Sequence, residues 1–247
     1  MLVVLLALAG LIVVERRVPL ELRQSHNVAI GVVYGALNAF GVIVGFSAFL
    51  VLDKYITAQD TVTREAGAIT ELHRLAEQFP ETQRDQIHKL AKSYTQVVVE
   101  EEWPMMIGGQ SSARADALLN ELGRGIEDFE PTTGSEQAVY TQGLERVHDL
   151  TQDRELRLLN VREGLPPILW VVLIVLAATI VVSTYFLGMG NTRLHKGAVV
   201  TLTAGLTFII FTIVVLDHPF GGGFRVGPDA FERAQDTMEG TSDQGAS

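Results

Sequence analysis

The sequence contains no cysteine. Without thiols the chain has no disulfide framework, no cysteine nucleophile and no cysteine-ligated metal or iron–sulfur site. Its six histidines show no H-E-x-x-H spacing, and the chain lacks a Walker A loop, a G-x-S-x-G elbow and a Rossmann glycine pattern. We therefore predict no catalytic residue, no cofactor and no metal site, and we do not expect an enzyme.

Charge is also scarce, at 19% of residues, and it is unevenly distributed. Four apolar runs contain no charged side chain: residues 2–14, 28–52, 166–188 and 197–216. A bilayer core about 30 Å thick requires roughly 20 apolar residues of helix. The last three runs meet this requirement, and the sequence therefore predicts a multi-pass protein of the plasma membrane.

The first apolar run is the shortest, because its 13 residues span only about 20 Å as a helix. A signal peptide carries basic residues before its apolar run, whereas here Arg16 and Arg17 follow it, and no A-x-A-like cleavage site does. We interpret the run as a span that residues 18–22 would extend, and we expect the native N-terminus to lie upstream of Met1.

The predicted fold is an all-α membrane protein with four transmembrane helices in two pairs, which flank a soluble helical bundle. The first pair lies in residues 1–52 and the second in residues 164–218. Residues 53–163 form the insert, in which 21 Asp and Glu outnumber 12 Lys and Arg. This acidic excess disfavours nucleic acid as a partner. Residues 219–247 form a polar tail that we expect to be disordered from about Asp236.

Proline and apolar periodicity predict the helices of the insert. One continuous helix runs from about residue 28 to Phe79, where Pro80 ends it. A second helix runs from about Glu81 to Trp103, and we expect Pro104 to stop it. After a loop at residues 105–112 come a short helix around residues 118–126 and a long helix from Glu136 towards the third span.

The short loops between paired spans predict the orientation. Arg16, Arg17 and Arg23 lie in the first loop, and Arg193 and Lys196 in the second. Short cytoplasmic loops are enriched in basic residues, which places these loops in the cytoplasm and the insert and both termini outside. Basic residues near the membrane on the insert side, such as Lys54, weaken this prediction.

The second span is the least lipid-like of the four. Small residues form two ladders along it, at Gly31, Gly35 and Ala39 and at Gly41 and Gly45, and Asn38 places an amide near mid-membrane. Close packing among the four spans would explain this pattern. A pore-lining or oligomer-forming helix would explain it equally, and then Asn38, Val42, Phe46 and Leu50 are the candidates to line a hydrophobic constriction.

The fourth span ends in an Asp217-His218 pair before Pro219. Because histidine titrates near neutral pH, this pair is a candidate for the mouth of an ion pathway. Ordinary helix termination before proline is the more common origin of such a run.

Two further groups of charges lie in the insert. Arg154 and Arg157 share a helix face and are candidates to bind an anion or a lipid phosphate, although ion pairing inside the bundle is the more common role. Glu100, Glu101 and Glu102 cannot converge on one cation, since consecutive helical residues diverge by about 100°. We expect these three glutamates to be solvated.

In several segments the sequence resembles the bacterial bestrophin-like membrane proteins, a largely uncharacterised family. The resemblance is carried by His26-Asn27-Val28-Ala29 with Tyr34; Glu65-Ala66; Glu102-Trp103-Pro104 with Met106 and Gly109; Arg154 and Arg157; Pro167 with Trp170; and Leu216-Asp217-His218-Pro219-Phe220-Gly221 with Val226, Pro228 and Phe231.

The family name implies kinship with bestrophins, which are pentameric anion channels with two pairs of spans around a helical insert. The resemblance therefore implies a homo-oligomer whose second span lines a pore. Two features depart from bestrophins. Their constriction is rich in aromatic residues, whereas only Phe46 is aromatic among the four candidates here; and their insert is cytoplasmic, opposite to the orientation predicted above.

Two functions are expected from these observations. The first is an oligomeric ion channel or permeability pathway, whose partners are the lipid bilayer, copies of the same chain and inorganic ions. The alternative is a non-transporting membrane scaffold or sensor whose helical insert binds a partner.

Overall fold

The computed structural model describes residues 1–24, 28–162, 164–187, 191–217, 220–221 and 225–244. These residues contain helices and connecting loops but no strand. In chain order the α-helices are α1 (Leu2–Arg17), α2 (Leu20–Gln24), α3 (Val28–Leu75), α4 (Glu81–Val97), α5 (Trp103–Ile107), α6 (Ala113–Glu127), α7 (Gly134–Arg162), α8 (Pro167–Tyr185), α9 (Thr192–Leu216) and α10 (Asp229–Gln244). The prediction of an all-helical chain is confirmed for this part of the sequence.

Three described helices are long and apolar enough to cross a membrane: α3, α8 and α9. Helix α1 has 16 residues, which correspond to about 24 Å. It ends at Arg17, and a separate helix begins at Leu20, because Pro19 interrupts the chain between them. The expected continuation of the first span through residues 18–22 is therefore wrong.

Contacts divide the chain into two compact units. The span unit comprises residues 1–53 and 164–217, and the insert unit comprises residues 54–163 and 218–247. In the span unit, Phe40 and Val51 of α3 belong to one apolar cluster with Leu173 and Ile180 of α8 and Ile213 of α9. Helix α1 belongs to a second, smaller cluster through Ala7 and Leu11.

The long helix α3 agrees with the prediction for residues 28–79. It ends at Leu75, a 3₁₀ turn continues over Ala76–Gln78, and Pro80 precedes α4.

The next helix boundary, after α4, differs from the prediction. After α4 the backbone widens into a π-helical turn at Val98–Glu102 and then returns to α-helix in α5. Pro104 does not stop the helix, because it lies in the first turn of α5, where no intrahelical donor is needed.

The tail after α9 is helical over much of its described length. Helix α10 covers Asp229–Gln244, so the expectation of disorder from about Asp236 is wrong through Gln244. The helix carries Phe231, Ala234 and Met238 at the spacing of one helix face, and all three are buried in the core of the insert unit. Although the tail is polar in composition, it therefore completes the core of the insert unit.

Candidate functional site

The insert unit contains a group of acidic and basic side chains, with one tyrosine, deep in its interior. We call Glu65, Tyr94, Glu102, Arg154 and Arg157 the buried charge cluster. Arg157 is fully buried, and its Nε and Nη2 atoms donate to the two carboxylate oxygens of Glu65 at 2.5 and 2.9 Å. Nη2 also donates to Glu102 at 2.7 Å, and the Tyr94 hydroxyl donates to Glu65 at 2.6 Å. Helices α3, α4 and α7 and the π-helical turn are thus joined through one guanidinium and its neighbours.

Arg154 extends the cluster towards the surface. Its Nη2 and Nε atoms donate to Glu102 at 2.6 and 3.3 Å, and its Nη1 atom pairs with Asp116, which is half exposed. Glu102 also accepts the backbone N–H of Ser112 at 3.0 Å, and the Ser112 hydroxyl caps α6 by accepting from Arg114 and Ala115. The carboxylate of Glu102 therefore fixes the start of α6 as well as two arginines.

The π-helical turn explains how Glu102 reaches the interior. A π-helix has a wider turn than an α-helix, so it changes the face on which the following residues lie. Glu101 remains partly exposed and pairs with Arg114, whereas Glu102 has no exposed surface. The expectation that all three glutamates are solvated is therefore wrong for Glu102. That expectation assumed regular α-helical geometry, and no residue in the sequence marks the wider turn.

Aromatic rings cover the remaining face of Arg157. The guanidinium carbon lies 5.4 Å from the ring centre of Trp103 and 5.8 Å from that of Phe231. Phe220 packs edge-on against Trp103 with the ring centres 5.9 Å apart. The Sδ atom of Met106 accepts from Nη1 of Arg157 at 2.6 Å. Every side of the guanidinium thus has a partner, which a buried ion requires.

The electrostatics favour the charged states of Glu102 and Arg157 and the protonated state of Tyr94. Burial acts to raise the pKa of Glu102, but the guanidinium groups of Arg157 and Arg154 outweigh it and hold that pKa below its ordinary value. Burial acts to lower the pKa of Arg157, but Glu65 and its other acidic neighbours outweigh it and raise that pKa. Burial, with the charge of Glu65, raises the pKa of Tyr94 and keeps its hydroxyl as a donor.

The cluster therefore stabilises the helix bundle, and every guanidinium nitrogen of its two arginines already has an acceptor. Both arginines pair with carboxylates, and Arg157 has no exposed surface. In the structure Arg154 and Arg157 form ion pairs inside the bundle. The structure offers no support for their candidacy to bind an anion or a lipid phosphate, because a phosphate at the surface could not reach Arg157 and would have to displace Glu102 from Arg154.

The span unit presents a second feature, on α3. Phe40, Ser47 and Val51 are buried, and they lie within about 40° of one another around the helix. The opposite face is uncovered in a single chain, with Val42 73% and Phe46 54% exposed. Asn38 also lies on this uncovered face. We call it the open face of α3.

The small residues of the second span also lie towards the open side of the helix. A Cβ atom built on Gly31, Gly35, Gly41 or Gly45 would have no neighbour within 4 Å, and Ala39 is exposed. Tight packing inside one chain therefore does not explain these residues. Leu50 differs from the other pore candidates, since it is half-buried and packs against the cluster containing Phe40 and Val51. The reason is geometric: each step of four residues turns the helix face by about 40°, so Leu50 lies about 120° from Asn38.

Residues 1–231 of the chain match the bestrophin-like domain family. The chain belongs to this family. No curated protein and no solved structure matches the chain. Family membership and the apolar helices together identify it as a bestrophin-like membrane protein.

Eight of the residues that carry the resemblance to the bestrophin-like family converge in the structure. Glu65, Glu102, Trp103, Met106, Arg154, Arg157, Phe220 and Phe231 come from separate segments, and all lie in or around the buried charge cluster. Sequence reasoning identified them individually but did not place them together. The two glutamates lay in ordinary amphipathic helices, and only their opposite charge to the two arginines indicated the pairing.

The remaining candidates at the end of the fourth span are only partly described. Asp217 is buried, and its Oδ1 atom accepts the backbone N–H of Leu165 at 2.6 Å, just before α8 begins. A carboxylate at a helix N-terminus interacts favourably with the helix dipole. His218 lies outside the described residues, as do His26, Asn27 and Pro219. The role of the Asp217-His218 pair at a pathway mouth therefore stays a prediction, while Asp217 has a local structural role.

Proposed function

We propose that this bestrophin-like protein is one subunit of an oligomeric ion channel or permeability pathway, lined by the open face of α3. The observation that carries the proposal is the polarity of that face. A helix that contacts only lipid has no need of an amide or of glycines, whereas a polar side chain at depth usually faces another helix or water. Here Asn38 and the glycines lie away from the chain's own core.

Assembly of identical chains would cover that face. Copies arranged around an axis would bring their α3 helices together, and the glycines would permit close approach. Val42 and Phe46 would then form apolar rings next to a ring of Asn38 amides. Apolar rings of this kind gate by excluding water from the pore. The family resemblance supports five copies, and α1 would supply the first of the four spans in each copy.

Flux through liposomes tests the proposal. Purified protein should conduct inorganic ions, and Phe46→Ala should change the flux because it widens the constriction. Phe208→Ala is the matched control, since Phe208 is a phenylalanine of α9 that is 70% exposed in the chain. Asn38→Leu should reduce flux by removing the polar lining.

Flux that is absent across a range of ions, pH and voltage would contradict the proposal. A monomeric protein that copurifies with a stoichiometric partner would instead favour the scaffold or sensor role. The orientation is tested separately by a reporter fused after Ser247, which we expect to lie outside the cell because the basic loops should be cytoplasmic.

A further inference from the structure

The span unit contains an arginine whose charge is not compensated by the described parts of the chain. Arg23 belongs to the short helix α2, and only 9% of its surface is exposed. Its Nε and Nη1 atoms are buried, and they donate to no group that the structure describes. Arg23 differs in this respect from Arg157, in which every guanidinium nitrogen donates a hydrogen bond.

A buried guanidinium without an anion is energetically unfavourable. Arginine cannot lose its proton in a protein, so it cannot escape burial by becoming neutral. Buried charges in proteins are accordingly paired, and an unpaired one is strongly destabilising. A residue of this kind in a stable protein indicates that something outside the described chain supplies the negative charge.

The neighbouring sequence does not supply a carboxylate. Glu21, in the same short helix, is exposed, and residues 24–30 contain no Asp or Glu. Glu15 faces a different partner, since its Oε1 atom lies 3.7 Å from Nδ1 of His195. None of the ion pairs formed among the described residues includes Arg23.

The same end of the span unit carries additional positive charge. The Glu15–His195 contact places the last turn of α1 beside the first turn of α9. Arg16 and Arg17 end α1, and Arg193 begins α9, all three exposed. Arg23 follows Arg17 by six positions, so the two lie within about 20 Å of each other whatever path the chain takes.

We propose that Arg23 anchors a site for a phosphate group at this end of the span unit. The charge-assisted bonds of a guanidinium to phosphate oxygens would satisfy its buried donors, and the exposed arginines nearby would attract the anion. The phosphate belongs to an anionic phospholipid headgroup or to phosphate in solution. Headgroups lie at the depth where apolar helices end, and basic pockets between membrane helices bind them. The site does not depend on whether the protein conducts ions.

Lipid binding by the full chain tests this site. Native mass spectrometry of the detergent-solubilised protein would compare phosphatidylglycerol with phosphatidylcholine of the same acyl chains. The wild-type chain should retain phosphatidylglycerol preferentially, and Arg23→Gln should weaken that binding about tenfold, on the scale of one charge-assisted hydrogen bond. Arg17→Gln is the matched control, because it removes an exposed arginine with the same charge and should weaken binding by no more than a few-fold.

A second measurement distinguishes the source of the phosphate. Added inorganic phosphate should raise the thermal midpoint of the wild type, and not that of Arg23→Gln, if the site takes phosphate from solution. A response to phosphatidylglycerol alone would assign the headgroup. Equal responses of Arg23→Gln and wild type to both probes would overturn the proposal.

A folding failure of Arg23→Gln would leave two decisive tests. A wild-type chain without a preference for phosphatidylglycerol and without a response to inorganic phosphate would overturn the proposal by itself. Arg23→Lys keeps the charge but loses most of the guanidinium donors, so weaker binding of phosphatidylglycerol by this variant would support the site. Unchanged binding would overturn it.

Discussion

Removing the guanidinium of Arg157 would leave the carboxylates of Glu65 and Glu102 buried with one fewer cation. Breaking a buried pair in this way costs about 3–5 kcal/mol, because the remaining charge has neither water nor a partner. We expect Arg157→Met to lower the free energy of unfolding by that amount. Thermal or denaturant unfolding in detergent, followed by tryptophan fluorescence, would measure it.

The control for this prediction is Arg146→Met. Arg146 pairs with Glu71 at 3.0 Å, but both side chains are exposed, and such pairs contribute at most about 1 kcal/mol. Equal destabilisation by the two variants would contradict the structural role assigned to the buried charge cluster.

Glu102 makes the stability of the insert unit vary with pH in the acid range. Its pKa is lowered in the folded chain, so the folded state holds the carboxylate ionised more strongly than the unfolded state does. The resulting stability is present above the ordinary glutamate pKa of 4.5 and is lost as pH falls through the lower folded value. We expect Glu102→Gln to lower stability at neutral pH and to flatten this acid dependence.

Glu100→Gln serves as the comparison, because Glu100 is exposed on the same π-helical turn. Its unfolding curves at pH 4.5 and below should follow those of the wild type. If Glu102→Gln kept the full acid dependence, the loss of stability would have to come from other carboxylates.

At the scale of single residues, the sequence predicts charges better than it predicts their positions. Arg154 and Arg157 share a face because α7 is a regular helix, and their pairing was the more common expectation. Glu102 could not be placed from its spacing, since the π-helical turn changes the face of the residues that follow it.

Helix α10 contributes to stability more than its composition suggests. Phe231 is fully buried in the insert unit and lies over Arg157. Truncating a buried phenylalanine to alanine typically costs about 3–5 kcal/mol through lost burial and the cavity that remains. We expect Phe231→Ala to destabilise the unit and to speed amide hydrogen exchange in α10.

Glu232→Ala is the control in the same helix, because Glu232 is exposed. Its exchange rates should match those of the wild type. Unchanged protection in Phe231→Ala would mean that α10 does not depend on its apolar face.

Among whole elements, the long helices were predictable because proline and apolar periodicity mark them. Pro80 ends the segment that contains α3, and the buried face of α4 follows the expected spacing. Helix α10 was missed because its three buried positions stand among acidic and polar residues, and composition outweighed periodicity. The pattern Phe231, Ala234 and Met238 was nevertheless present in the sequence.

At the scale of the whole molecule, the absence of cysteine allows a direct test of assembly. Single cysteines can be introduced without removing any native thiol. Val42→Cys lies on the open face of α3, so we expect oxidation in membranes to link copies of the chain. Ser47→Cys lies on the covered face, and Ser47 has no exposed surface, so this variant should remain unlinked.

Cross-linking through Ser47→Cys as efficient as through Val42→Cys would contradict assembly through the open face. The sequence predicted a special second span, but it did not predict which side of that helix the chain leaves uncovered. That side depends on how α3, α8 and α9 pack, which is a property of three helices together.

The aromatic cover of Arg157 also limits how early the insert unit can finish folding during synthesis. Glu65, Glu102 and Arg157 leave the ribosome before α8 and α9, whereas Phe220 and Phe231 follow both of those helices. The nascent insert therefore waits for two further apolar helices before its charged interior can close. During that interval the partly folded insert exposes apolar surface, and this makes it a target for chaperones and proteases. We therefore expect slower membrane insertion of α8 and α9 to lower the yield of folded protein.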